Sequence, residues 1–280
     1  MADPSPFPHP DRHQAMLARY GFGLFPIPRY QDAAVGPWRV ARYGRGPVEG
    51  YLPGLVLEPE RHVLHHGRIA WMSTSLMELE SHAFHVHQAA GVVVVAGLGM
   101  AMYAHAAALR PEVLRVVVVE RAAEVIAVAG AAAGMDYWPR QDKVVVIQAD
   151  ALGSELADLV LDATGGRRPD YLYADIWPEL AAPQAPGETA GMVRALQPKA
   201  AGWWGQELSF GRWCQERAQA MEPAALQAYA REMGVPIPVS AGYAAFCRDV
   251  AAARLPRRPL SGRTSGWRRL WGRLRGAGGG

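Results

Sequence analysis

Five apolar residues, Val92 to Ala96, run straight into Gly97-Leu98-Gly99 within the string GVVVVAGLGM. A buried strand delivered into a turn that needs glycine is compatible with few folds. A small-residue segment from Met100 to Leu109 reads as the next helix. A second β-branched run, Val116 to Val119, then ends in Glu120. Strand, Gly-x-Gly, helix, strand and acid make up a nucleotide-binding βαβ half. The glycines let the backbone approach a ligand, and the acid can accept hydrogen bonds from two ribose hydroxyls. The spacing also narrows the nucleotide. A dinucleotide fold places a third glycine where this chain has Met102, so hydride transfer with NAD is disfavoured. No P-loop string occurs.

The pattern repeats downstream. A strand expected over Lys143 to Ala149 ends in Asp150, and one over Tyr171 to Ala174 ends in Asp175. Acids at the carboxyl ends of successive parallel strands line the edge where such sheets bind ligands. Each residue also has a plainer reading. Gly97 and Gly99 can serve strand-to-helix packing, Glu120 can be a solvated acid, and Asp175 can cap the turn before Pro178.

The order resembles that of class I S-adenosylmethionine-dependent methyltransferases over about residues 91 to 205. VVVAGLG looks like their motif I, Glu120 like their ribose-binding acid, and Ala149-Asp150-Ala151 like their adenine-side motif. Asp175 in YLYADIWP looks like the acid beside the reacting centre. The resemblance implies a doubly wound Rossmann-like α/β sheet and S-adenosylmethionine as cofactor. It implies cofactor contacts from Gly97, Leu98, Gly99, Glu120, Arg121, Asp150 and Ala151. Asp175 would be the base or orienter, and Trp177 with Pro178 would wall the acceptor pocket. A narrower likeness is to the spermidine synthase superfamily. Asp170 and Asp175 have its aspartate spacing, and HHGRIAWMSTSLMELESH resembles its gatekeeper segment, where Glu78 and Glu80 would contact the acceptor or the donor's cationic end. This chain departs from that group. It has Ala-Gly-Leu-Gly-Met in place of a longer acid-containing glycine run, Trp71-Met72 at the glutamine position, and Trp177 in place of a second acid. A polycationic acceptor needs several carboxylates around it, so the chain reads as a spermidine synthase-like methyltransferase.

The other expectations come from composition. Half of the 280 residues are hydrophobic, enough for a sizeable core. Eight of the 29 basic residues lie at 254–280, where there is no acid, so residues 1–253 carry 21 basic and 26 acidic side chains. The expected domains are an N-terminal extension with a small antiparallel β subdomain over 1–75, the nucleotide domain with C-terminal helices over 76–253, and a basic Arg/Trp/Gly tail over 254–280. The tail string GWRRLWGRLRG can contact anionic partners, though a solubilising tail without a packed core is the favoured reading. No run of roughly 18 apolar residues and no signal segment occur, so a cytoplasmic protein is expected. Cys214 and Cys247 are expected to be reduced and structural.

Nine histidines raise the question of a metal, but no Cys/Asp/Glu constellation at ligand spacing accompanies them, and no metal site is expected. A histidine acting as base beside the donor would be His85 or His87, and His85 would contact the substrate. The acceptor is expected to be a small molecule or peptide. Nucleic acid is not expected, because no recognition module is present, and a homodimer is compatible with the resemblance. Two alternatives stay open: aminopropyl transfer from decarboxylated S-adenosylmethionine, and a non-catalytic nucleotide-binding or sensor subunit.

Overall fold

The computed structural model describes residues 8–256. Helix α1 (Pro10–Tyr20) leads into irregular chain that buries Phe22, Leu24 and Phe25. Six strands follow: β1 (Ala33–Val35), β2 (Trp38–Tyr43), β3 (Gly46–Glu49), β4 (Leu55–Glu58), β5 (Arg61–His66) and β6 (Ile69–Ser73). Four of them form an antiparallel sheet in the order β1-β2-β5-β6, while β3 and β4 pair apart as a hairpin. The stretch EGYLPGLVL, which reads as one strand, is broken between Glu49 and Leu55. Pro53 has no N–H to offer a ladder. Tyr51 and Leu52 instead turn into the core, and Gly50 N–H donates to the Gly54 carbonyl at 3.2 Å.

Helix α2 (Leu76–Gln88) joins the two sheets. The Glu58 carboxylate accepts the Leu76 N–H, holding the helix start as an N-terminal acceptor should. The helix is buried nearly all round, polar residues included: Glu78, Glu80, Ser81, His82 and His85 lie inside with Leu79 and Phe84. Glu80 is satisfied by Arg12 and by the Leu52 N–H at 2.9 Å.

The doubly wound part then alternates strand and helix. It comprises β7 (Gly91–Ala96), α3 (Met102–Leu109), β8 (Val113–Glu120), α4 (Ala123–Ala133), β9 (Val144–Gln148), α5 (Leu156–Ala163), β10 (Tyr171–Ala174), α6 (Ala185–Leu196) and β11 (Ala200–Trp203). The five strands are parallel in the order β11-β10-β7-β8-β9. This is an α/β Rossmann-like sheet beside a small antiparallel one, as the valine runs and the alternation of elements imply. Val92 to Val95 and Val116 to Val119 are buried, as central parallel strands covered on both faces require. Helices α7 (Gln206–Arg217), α8 (Pro223–Met233) and α9 (Ala241–Arg254) close the chain, with α9 packed on α7 and α1.

Three helix starts differ from the expectation. Helix α3 begins at Met102 because Met100 and Ala101 belong to the glycine turn. Helix α5, which the sequence suggests over Leu152 to Leu161, begins at Leu156, after a turn in which Asp150 accepts the Leu152 N–H at 2.9 Å. Helix α6 begins at Ala185, whereas Pro178, Pro183 and Pro186 in the sequence suggest a loop that gives way to helix near Glu188. Pro186 falls in its first turn, where the missing N–H costs nothing. Among the described residues no helix is long and apolar enough to cross a membrane. Cys214 and Cys247 are free and buried. The basic tail lies outside the described residues beyond Pro256.

Candidate functional site

The chain runs outward through β7, β8 and β9, then crosses back to β10 and β11, so strand order reverses between β7 and β10. Open α/β sheets bind ligands in the crevice at the carboxyl ends of strands flanking such a reversal. A cavity of about 350 Å³ lies there, within the small-molecule range. Gly97 from β7, Glu120 from β8, Asp150 beyond β9 and Asp175 beyond β10 all line it.

Gly97 is required by geometry. Its φ is +94°, and a Cβ placed on it would lie 2.1 Å from the Asp175 carbonyl oxygen. Gly99, at φ +52°, faces Met72 at the end of β6, whose sulfur would lie 2.3 Å from an added Cβ. That sulfur also accepts the Met100 N–H at 3.0 Å. The glycine turn is therefore held from above by the small sheet. Glu120 holds it from the side: one carboxylate oxygen accepts the Leu98 N–H at 3.0 Å and the other the Ala122 N–H at 2.9 Å.

Of the residues singled out in the sequence, Gly97, Gly99, Glu120, Arg121, Asp150, Ala151, Asp175, Trp177 and Glu78 line this one cavity. Leu98 is buried behind the turn and reaches it only through its amide. His85 is not brought to the cavity. It is fully buried, with Nδ1 paired to the Tyr171 hydroxyl at 2.9 Å, and burial pushes it down to about 3, so it is neutral. His87 is exposed. Asp170 sits at the amino end of β10, away from Asp175. It accepts the Val92 N–H at 2.7 Å and pairs with Lys199, which holds its carboxyl below the usual range. The Trp177 indole N–H donates to Glu188 at 2.6 Å.

The structure adds residues that spacing did not reveal. His82 Nε2 meets Asp175 Oδ2 at 3.1 Å. Trp38 and Trp71 stand edge to face at 5.4 Å and wall the cavity, and Trp204 lines it from below β11. A signal for His82 was present: Glu78 and His82 are four apart on one helix and share a face. Burial pushes the Glu78 carboxyl up to about 7, with Asp175 adding to the rise and His82 opposing it.

Behind the cavity, Glu207 at the start of α7 is fully buried. It accepts from Tyr51 at 3.0 Å and Tyr243 at 2.8 Å, and burial pushes it up to about 7. The folded chain thus keeps a proton that an unfolded glutamate, at 4.5, sheds. The resulting stability is full below about 4.5 and is lost as pH rises through 7. Urea midpoints between pH 4.5 and 8 are expected to fall for the native chain. Glu207→Gln, which stays neutral, should show a slope shallower by up to about 1.4 kcal/mol per pH unit. Parallel slopes would place the Glu207 proton elsewhere.

No protein-family model matches the chain, and no curated protein sequence matches it. Among solved structures it is similar to the methyltransferase domain of bacterial CtHen1, at 11% identity and TM-score 0.31, covering 39% of this chain and 54% of that one. It is similar also to spermidine synthase from Thermotoga maritima, at 12% identity and TM-score 0.35, covering 65% and 58%. The chain spans little more than half the length of either.

Proposed function

We propose that this chain binds S-adenosylmethionine and transfers its methyl group to a small-molecule or peptide acceptor. The observation that carries the reading is one cavity with contributions from four adjacent strand ends: a glycine turn, two acids on the nucleoside side, and Asp175 beside the turn. The residues present fit such a donor. Gly97 and Gly99 leave the backbone open to close approach, Glu120 keeps lone pairs for a ribose, and Val125 and Leu152 give an apolar wall for a base. The donor supplies an electrophilic methyl on a cationic sulfur. The chain's part is to orient the acceptor's lone pair in line with that methyl. The N–H or O–H proton released passes to the Asp175 carboxylate or to water. Positioning contributes up to about 7–11 kcal/mol and a general base about 10²–10⁴-fold.

A second reading, aminopropyl transfer from decarboxylated S-adenosylmethionine, draws support from the charge of the lining. Glu78, Glu120, Asp150, Asp175 and Glu188 face the cavity against Arg121. A donor or acceptor with an ammonium and no carboxylate suits that balance.

Calorimetric titration with S-adenosylmethionine, its demethylated product, decarboxylated S-adenosylmethionine and NAD tests both readings. Preference for the carboxylated donor is expected, and preference for the decarboxylated one would put aminopropyl transfer first. Glu120→Gln should weaken donor binding about 10- to 100-fold, the worth of a charged hydrogen bond. Binding of none of the four would sink both readings.

A further inference from the structure

Helix α2 places a buried histidine on the one carboxylate that stands beside the glycine turn. His82 Nδ1 lies 2.7 Å from the backbone oxygen of Glu78, a group that only accepts, so Nδ1 carries a hydrogen. Nε2 lies 3.1 Å from Asp175 Oδ2, also an acceptor when ionised. Both ring nitrogens therefore donate, and the ring is an imidazolium paired with Asp175. Its seat is fixed on every side. Ser81 Oγ also bonds the Glu78 carbonyl, at 2.9 Å, and takes the Trp204 indole N–H at 2.9 Å. The ring edge meets Tyr173 with centroids 5.6 Å apart, and Phe25 covers it at 6.4 Å. His82 is 2% exposed, whereas the Asp175 side chain is 20% exposed.

We propose that His82 is a positioning residue: as a buried imidazolium it pins Asp175 Oδ2, so that Oδ1 is presented to the acceptor at the mouth of the glycine turn. The inference rests on the reading of Asp175 as the acceptor-facing carboxylate. The groups facing His82 are Glu78 and His85 on its own helix, Asp175 and Tyr173 on β10, and Glu207 on α7. Burial lowers the affinity of the ring for its proton. The hydrogen bond and charge of Asp175, with the charge of Glu78, outweigh that, and the ring holds its proton above the usual histidine range. Neutral His85 adds no competing positive charge, and Glu78 and Glu207, both pushed up to about 7 by burial, can only reinforce the imidazolium when ionised.

Two readouts independent of turnover test this. In long-range ¹H–¹⁵N spectra of histidine-labelled protein, both His82 nitrogens are expected to be protonated at pH 6.5. In Asp175→Asn the proton should be lost at least about one pH unit lower. Crystal structures of His82→Gln and His82→Leu give the second readout. Glutamine keeps an N–H donor and should hold the Asp175 carboxylate in place, whereas leucine should let it move by about 1 Å or more, a displacement that costs about 10²-fold in a reacting geometry. A neutral His82 at pH 6.5, a titration unaffected by Asp175→Asn, or an unmoved Asp175 in His82→Leu would each overturn the proposal. If His82→Leu fails to fold, the spectra and the glutamine variant decide. Titration of the same samples with S-adenosylmethionine keeps the two failures apart. Loss of binding in the native chain would remove the donor reading and leave the His82–Asp175 pairing intact.

Discussion

Replacing Asp175 by asparagine is expected to lower methyl transfer about 10²–10⁴-fold while changing the affinity for S-adenosylmethionine by less than about threefold. Asparagine keeps the volume and one acceptor oxygen but removes the charge that, in the proposed reading, orients or deprotonates the acceptor. In the proposed reading the donor's nucleoside end is held elsewhere, at Glu120 and Asp150, so binding should survive. The fold should survive as well. Deprived of its counter-charge, His82 sheds a proton, and the bare Nε2 can accept from the asparagine amide. Destabilisation should stay near 1–3 kcal/mol. Rates at saturating donor, with calorimetry in parallel, check both halves. Full activity in the variant would remove Asp175 from the chemistry, and equal losses of rate and donor affinity would make it a donor ligand instead.

Replacing Gly97 by alanine should be strongly destabilising. The new Cβ would meet the Asp175 carbonyl oxygen at 2.1 Å and its carbon at 3.0 Å. Both are backbone atoms at the junction of β7 and β10, where the strands pair Ala96 with Ala174. No rotamer change relieves the overlap, and φ +94° is strained for any side chain. Left-handed strain and overpacking together suggest a loss of about 3–5 kcal/mol, read as a drop in urea midpoint. Donor binding should disappear with it, because Asp175 and the turn must separate. A variant of native stability would show that the strand ends have slack the structure does not suggest.

The sheet was legible because its signals are local. The valine runs of β7 and β8 are continuous, each central strand ends in a glycine or an acid, and the first crossover helices are runs of small and apolar residues. What escaped was decided at a distance. His82 meets Asp175 across 93 residues and Met72 meets Met100 across 28, and no periodicity announces such partners. His85 illustrates the converse. Three helical residues from His82, it falls on the face turned toward Tyr171 and Glu207, away from the cavity. Proline misled in two directions. Pro53 broke a stretch that looked like a strand, while Pro186 opened a helix that looked like loop, since a missing N–H is harmful in a ladder and harmless in a first turn.

Met72 reaching over the glycine turn makes the small sheet a wall of the site as well as a neighbour of the larger one. A chain cut to begin at α2 would retain all five parallel strands, their crossover helices and every acid at their tips. It would lack Trp38, Leu64, Trp71 and Met72, which wall the cavity from the small sheet, and the Met100 amide would lose its sulfur partner. Such a fragment would also leave buried Glu80 without Arg12 and the Leu52 N–H, the start of α2 without Glu58, and one side of its pocket open to water.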